Sequence, residues 1–470
     1  MMNKFLFDEF QPVSAKEWKQ KIQVDLKGED YNETLLTNTN EGIVIKPFYH
    51  HDELDKLEVP KSQSEFLICQ AIFINDEKSA NFLATDALNR GANAIKFIAN
   101  KDFDYEIVLN NIFPSKDKDL AIYFELQFLD RDFTVALMDF VEEEMVSIHI
   151  DIIGNFVKTG NWFYENEKDH EKLKSILKKA QSTIGILSVD VAHYQNSGAN
   201  ITQQIAYALS HAKYYLDFLM DLKKNKELNL EQIENIVKNM QFKFAIGGHY
   251  FFEIAKLRAF RVLWNLLLQE YKMNGKAQIF AEPSLRNKSI YDYNVNMLRT
   301  TTECMSAVLG GADTISNIAY DTFFHKKNEF GERIARNQLI ILKEESNIKN
   351  ADFVEGSYFI EEITAEISEK ALKIFKDIEK GGGFIKQLFL GTIQRKIHES
   401  AQKEQQDFKS TELVILGVNK HPNNEDHMKD NLELYPFVKR NKRETEIKPI
   451  IAKRLSESAE QDRLMKESFG

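Results

Sequence analysis

Cysteine is nearly absent from this chain, with only Cys69 and Cys304 among 470 residues. Two cysteines cannot build a disulfide framework, which fits a reducing compartment. Proline is scarce at 8 and glycine at 20. That argues against collagen-like, linker-rich and turn-dense all-β chains. Positive charge is in deficit, with 61 Lys+Arg against 72 Asp+Glu and a net charge of −11. A general nucleic-acid binder needs clustered Lys/Arg for phosphate contacts, so that class is disfavoured, although a local basic patch is not excluded. No run approaches the roughly 18 apolar residues that span a bilayer. Asp8 and Glu9 arrive before any apolar h-region forms. No signal peptide is therefore expected, and the expected location is the cytoplasm.

What is present is ordinary globular material: 43% hydrophobic and 28% charged residues, with 34 Phe and 16 Tyr. Intrinsic disorder would need fewer apolar residues. Length alone allows about three domains of roughly 150 residues, or one α/β barrel with extensions. The first 60 residues read as an extended arm with one short helix near Ser14–Leu26, where Ser14 caps and Glu17 completes a capping box. Its Phe5, Phe7, Phe10 and Trp18 call for an apolar surface, on this chain or another. From about residue 64, short apolar runs alternate with amphipathic stretches. The runs are Phe66–Ile72, Ala94–Ala99, Ala121–Phe128, Ser147–Ile153, Ser188–Tyr194, Ala277–Ala281 and Leu413–Val418. The clearest helices are Ile201–Leu222 and Tyr250–Tyr271, with another at Ser368–Ile378 stopped by Gly381-Gly382-Gly383 and a shorter one near Lys448–Lys466. Such alternation means parallel strands with crossover helices. A (β/α)8 barrel is favoured over an open doubly wound sheet, which the pattern leaves open. The division expected is an arm at 1–63, a barrel at 64–410, and a strand with a linker-like tail at 411–470.

Motifs for chemistry are mostly missing. There is no G-x-x-x-x-G-K-[ST] and no G-x-G-x-x-G. H-E-x-x-H and C-x-x-C are absent, so no metal site is expected. His50-His51-Asp52-Glu53 and the His421…His427 loop read as solvated surface. There is no G-x-S-x-G elbow. Cys304 sits in an apolar helical stretch and reads as a buried structural thiol. The segment from Val189 to Asn200 is less bland, because it ends a strand and opens the Ile201 helix. In a barrel this puts His193, Gln195 and Asn196 on the C-terminal rim, where barrel chemistry occurs. The competing reading is that His193 is a hydrogen-bonded strand-end residue.

Several long stretches resemble the methylmalonyl-CoA mutase family. They are Phe252-Glu253-Ile254-Ala255-Lys256-Leu257-Arg258-Ala259-Phe260-Arg261-Val262-Leu263-Trp264, Arg333-Ile334-Ala335-Arg336-Asn337-Gln338, Lys343-Glu344-Glu345-Ser346, Gly356-Ser357-Tyr358 and Gly417-Val418-Asn419-Lys420. Trp18…Asp25-Leu26-Lys27-Gly28 with Lys46-Pro47-Phe48-Tyr49 is similar to the small, β-type subunits of bacterial heterodimeric members. The resemblance implies a (β/α)8 TIM barrel, with acyl-CoA threaded along the axis and cobalamin across the C-terminal mouth. The activity it implies is the interconversion of methylmalonyl-CoA and succinyl-CoA through an adenosyl radical.

The departures from that family also carry information. The family's cobalamin-binding, flavodoxin-like domain has an Asp-x-His-x-x-Gly signature that this sequence lacks, so adenosylcobalamin is expected on a partner chain. The family's first-strand Arg and Tyr fall on Cys69 and Ala71. The Arg of an Arg-Thr-His run falls on Phe280, and the His of a Ser-Leu-His run on Ser316. Only His193, Gln195 and Gly198 keep the active-site loop in register, and His193 would match the His that hydrogen-bonds the thioester carbonyl. Losing several preorganised donors removes most of the rate. His193, and Gln195 beside it, are therefore expected to be catalytic remnants. Three readings follow. The first is a non-catalytic subunit that stabilises a catalytic large subunit. The second is an active acyl-CoA mutase barrel using a separate cobalamin-binding chain, and the third is a stand-alone barrel for another ligand.

Overall fold

The computed structural model describes residues 10–54, 57–62, 65–113, 120–141, 145–180, 182–439 and 442–469. Phe5 and Phe7 of the arm, and the expected boundary at 63/64, lie outside these residues.

Eight parallel strands close into a barrel. They are β1 (Leu67–Phe73), β2 (Ala94–Ala99), β3 (Ala121–Leu126), β4 (Val146–Ile150), β5 (Gly185–Asp190), β6 (Gln241–Ile246), β7 (Gln278–Pro283) and β8 (Thr314–Ser316). Each pairs with the next, and β8 returns to β1 through Thr314↔Leu67 and Ser316↔Cys69. Two strands are additions to the sequence reading. β6 lies in the stretch between the Ile201–Leu222 and Tyr250–Tyr271 helices that the sequence reading leaves unassigned, and three-residue β8 is too short to show a period. Two expected strands are corrected. The run Ser188–Tyr194 stops at Asp190, whose side chain accepts from the His193 amide and caps a short helix at Val191–Asn196. Leu413–Val418 is irregular, with one isolated bridge, Leu416↔Lys420. There the Asn419 side chain takes the backbone partners a strand would need, bonding the Ile415 amide and the Phe408 and Leu413 carbonyls.

Helices wrap the outside. Ile201–Lys224 opens on an Asn200/Gln203 capping box. Tyr250–Glu270 presses Phe260 and Trp264 onto Phe242 of β6 with ring centroids 4.7 and 4.8 Å apart. The helix expected at Ser368–Ile378 runs longer, Tyr358–Lys380, and the glycines stop it as expected, with Gly382 and Gly383 at φ +100° and +87°.

The arm helix spans Ala15–Asp25 with the Ser14/Glu17 capping box. A second short helix at Tyr31–Leu35, capped by Asp30, and a two-stranded ribbon pairing Thr37–Asn38 with Val44–Ile45 add structure to what reads from the sequence as an extended arm. After helix Thr392–Ser410 the chain is irregular. Residues 442–456 then run over the barrel's C-terminal rim. Ile447 and Ile450 amides donate to Gly160 and Val157 carbonyls after β4, Lys453 to Asn196 after β5, and Leu455 to Arg286 after β7. The chain ends in helix Glu457–Phe469, later than the stretch expected near Lys448–Lys466. The backbone before Glu457 is committed to rim carbonyls.

One buried pair shows how the shell is locked. Lys288, in the loop after β7, donates to both Glu303 oxygens (2.9 and 2.7 Å) on helix Val295–Leu309, and both residues are 1% exposed. Removing one partner of such a pair strands the other charge. Lys288→Met should therefore cost about 3–5 kcal/mol, read as a shifted urea midpoint, and adding Glu303→Leu should recover most of it.

Candidate functional site

An enzyme on such a barrel uses its C-terminal mouth, and the resemblance to the mutase family implies use of the axis as well. Side chains from facing strands meet across that axis. Lys96 (β2) reaches Glu282 (β7) at 3.1 Å and Glu125 (β3) at 3.4 Å. Lys243 (β6) reaches Asp190 (β5) at 3.1 Å and Glu125 at 3.3 Å. β2 and β7 are not neighbours, nor are β3 and β6, so these bridges pass through the lumen. Beside them the Tyr123 hydroxyl (β3) hydrogen-bonds the Thr314 hydroxyl (β8) at 2.7 Å. The Phe280 ring (β7) meets Tyr123 at 5.1 Å and His149 (β4) at 6.0 Å, and lies under the Lys96 ammonium. Phe280 is fully buried. The axis is therefore filled by ionic and aromatic side chains.

The electrostatics follow from burial and pairing. Burial opposes the Lys96 charge, but Glu282 and Glu125 outweigh it and raise its pKa. Lys243 is likewise raised, by Asp190 and Glu125 against burial. Burial would raise Glu125, yet Lys243 and Lys96 hold it far below the carboxylate range. His149 is pushed down to about 3 by burial, against the pull of Glu125 and helped by Lys96 and Lys243. It is neutral, and its Nε2 has no partner among the described residues.

The sequence-derived positions fall as follows. Cys69 packs in the lumen with Tyr123 and Phe280, and burial pushes its thiol up to about 12. Ala71 lies in register with Lys96. Its carbonyl accepts from Lys327 at 2.7 Å, which brings an ammonium to the end of β1. Ser316 pairs with Cys69 and is buried. His193 sits not on a strand but in the Val191–Asn196 helix, and its Nε2 is bonded to the Ile450 carbonyl of the tail at 2.8 Å. Burial lowers its pKa. The Gln195 amide bridges the Ala245 carbonyl and the Gly247 amide, and Asn196 Oδ1 accepts from the Leu285 amide at 2.9 Å. Gly198, at φ +100°, could carry no side chain, since a Cβ there would lie 2.5 Å from Ala401. The structure thus joins Cys69, Ala71, Phe280 and Ser316 around the lumen and leaves His193 and Gln195 on the rim, occupied by backbone partners.

A cleft of about 1090 Å³ opens beside the rim between Gln195, Gly247–His249, Arg286 and helix Thr392–Ser410. Arg286 is engaged there by Glu404 (2.5 Å) and the Lys453 carbonyl (2.7 Å). The tail covers loops after β4, β5 and β7, and His193 is bonded to that tail. Elsewhere, ligand atoms of His50, His51 and Asp52 lie within 4.8 Å of one another, but Asp52 is used by the Ala15 amide of the arm helix. Cys304 is buried, and burial raises its thiol pKa. Among the described residues no helix is long and apolar enough to cross a membrane.

The lumen charges were missed in the sequence. Their signal was a single charge inside a near-continuous apolar run, as in Ala94-Ile95-Lys96-Phe97-Ile98-Ala99 and Phe242-Lys243-Phe244-Ala245-Ile246. Strands of a parallel barrel are buried on both faces, so such a charge must face the lumen and be paired there.

The segments that carried the resemblance build the shell. Arg258 donates to Glu361 (2.7 Å), Arg261 to the Ala277 carbonyl (2.9 Å) and Asp313 (2.8 Å), Arg336 to Gln70 (3.0 Å), and Lys343 to the Phe66 carbonyl (3.1 Å).

Residues 141–466 match the family model described as methylmalonyl-CoA mutase. The chain is 32% identical to the methylmalonyl-CoA mutase small subunit of Porphyromonas gingivalis, over 89% of this chain and 71% of that protein. It is 28% identical to the methylmalonyl-CoA mutase of Cereibacter sphaeroides, over 86% of this chain and 64% of that protein. It is also 28% identical to the large subunit of the Porphyromonas gingivalis mutase, over 60% of this chain and 39% of that protein.

The buried neutral imidazole gives a pH signature. Unfolded His149 takes up a proton below its ordinary value of 6.5, whereas the folded one does so only near 3. Its contribution to stability is whole above pH 6.5 and falls as the pH drops toward about 3, at about 1.4 kcal/mol per pH unit. Urea midpoints at pH 7 and pH 5 should differ accordingly, and His149→Gln should flatten that difference.

Proposed function

The chain belongs to the methylmalonyl-CoA mutase family, and from that premise we propose that it is a non-catalytic, small-type subunit of an adenosylcobalamin-dependent mutase. It pairs with a catalytic large subunit and stabilises it, in the cytoplasm, and the pair interconverts methylmalonyl-CoA and succinyl-CoA. In this reading residues 1–63 are the partner-embracing arm, 64–410 the mutase-like barrel and 411–470 the tail. Adenosylcobalamin and the radical chemistry belong to the partner's barrel.

The filled axis carries the proposal. Lys96, Glu282, Tyr123 and Phe280 meet side chain to side chain where a thioester tail would have to pass. Ala71, Cys69, Phe280 and Ser316 are then substrate positions that have lost their polar groups. His193, with its Nε2 on the Ile450 carbonyl, and Gln195 are remnants.

The arm supports the partner half of the reading. Its 11-residue helix buries only Ala15, leaving Trp18 49% and Val24 71% exposed. A helix of that length is marginal in water unless an apolar face is covered, and a large subunit is the cover proposed.

The purified chain, given adenosylcobalamin and succinyl-CoA, should show no turnover, and calorimetric titration with succinyl-CoA should give no heat at millimolar ligand. Co-expression with a large subunit should give a co-eluting, active pair, with a large subunit that melts at lower temperature when prepared alone. Heat and turnover after adding only a separate cobalamin-binding chain would instead favour an active barrel.

A further inference from the structure

The turn after the arm ribbon brings three metal-ligand side chains together. His50, His51 and Asp52 are consecutive, and a short 3-10 turn at His51–Glu53 folds them back on one another. One ligand atom from each lies within 4.8 Å of the other two. The Asp52 carboxylate stands between the imidazoles, with His51 Nε2 3.0 Å from Oδ1 and His50 Nδ1 3.3 Å from Oδ2. The two rings lie side by side, their centroids 4.4 Å apart. Two ligands on a tetrahedral zinc ion, each about 2.0–2.1 Å from it, stand roughly 3.3 Å from one another. The turn therefore holds these atoms close to the spacing of ligands on a metal.

The contacts around these atoms point to a cation rather than to a surface ion pair. The Asp52 amide donates to His50 Nδ1 at 3.3 Å, so that nitrogen carries a lone pair and no proton. It nevertheless faces a carboxylate oxygen at 3.3 Å, an approach of two acceptors that a positive ion would relieve. Asp52 Oδ2 also accepts from the Ala15 amide at 3.1 Å. Such an outer hydrogen bond orients a ligating carboxylate without removing it as a ligand. Lys46 pairs with Glu362 at 3.0 Å and Glu53 at 3.7 Å. Among the described residues Asp52 has no Lys or Arg partner. The ligands are also within reach of solvent, the His51 ring being 65% and the Asp52 side chain 38% exposed, while the His50 ring is largely covered.

We propose that His50, His51 and Asp52 bind one divalent transition-metal ion of the zinc class. Two imidazoles and one carboxylate suit zinc, cobalt or nickel, whereas magnesium and calcium require a set of oxygen ligands. Three protein ligands leave a position for water, as at an open zinc site. The ion takes the Nδ1 lone pair in place of the Asp52 amide, which lies in a turn open to water. Fixing the Asp52 carboxylate also fixes the Ala15 amide bonded to it, so the metal holds the first turn of the arm helix in place. The residues read from the sequence as solvated surface, because only the folded turn aims their ligand atoms at one another. The inference goes beyond the mutase reading and does not rest on it.

The test uses the full chain, stripped with a chelator and titrated by calorimetry with zinc chloride, with magnesium chloride as the control. The expected result is one saturable zinc site, no magnesium heat, and a melting temperature that rises with zinc, as ligand linkage requires. Cobalt(II) chloride should report the same site by visible absorption that zinc abolishes. His51→Ala, at an exposed ring, should weaken zinc binding at least tenfold. Asp52→Asn, which keeps an oxygen for the Ala15 amide, should do the same, and if either variant is misfolded by circular dichroism the other decides. Zinc acting no differently from magnesium would overturn the proposal, as would wild-type zinc affinity in a folded variant. Zinc should also slow tryptic cleavage at Lys16, Lys19 and Lys21, and an unchanged rate with zinc bound would overturn its role in holding the arm.

Discussion

Lys96 and Lys243 face Glu125, Glu282 and Asp190 across a lumen that buries Lys96 and leaves the others only partly hydrated. Away from water a charge is tolerated only when an opposite charge and further polar contacts replace its hydration. Each of these groups therefore fixes where the others stand. Two of the bridges, Lys96–Glu282 and Lys243–Glu125, run between non-neighbouring strands, and with the two between neighbours they bind β2, β3, β5, β6 and β7 into one cross-braced interior. Against that brace lie Phe280, Tyr123 and a neutral His149. The same contacts that stabilise the interior occupy the path a ligand would take along it.

On the function proposed here, likeness and divergence are separated in space. The segments shared with the mutase family sit between helices and strand ends, where Arg258, Arg261, Arg336 and Lys343 satisfy carbonyls and carboxylates. Those contacts make the barrel a barrel and are indifferent to what its axis holds. The positions proposed above to have lost their substrate groups, Cys69, Ala71, Phe280 and Ser316, point inward. A shell can persist while the interior is rebuilt, because inward and outward residues alternate along each strand.

The two chain ends complete the picture. The arm helix is capped well but packs lightly, its Trp18 stacked on Phe48 at 5.5 Å. The tail is the reverse: little regular structure, yet its amides and carbonyls are spent on the rim, from Gly160 to His193 to Arg286. An end that packs lightly is suited to another surface, whereas one whose backbone bonds to its own barrel at several points is part of the fold.

The alternating strand–helix pattern, the Ser14 cap and the glycine stop at 381–383 were legible from the sequence, since each depends on local spacing or on the conformational range of one residue. Three-residue β8 and the Asp190 cap that ends β5 were not, because strand length there is set by pairing with neighbours and by a side chain turning back on the next amide. In the same way, the sequence displayed Lys96, Glu125, Lys243 and Glu282 as lone charges in apolar runs, but which lysine meets which carboxylate was decided only when closure of the barrel brought β2 opposite β7 and β3 opposite β6. Residue identity determined that these charges needed partners. The partners lie from 29 to 186 positions away in the chain, and only the tertiary structure brings such distances within a few ångströms.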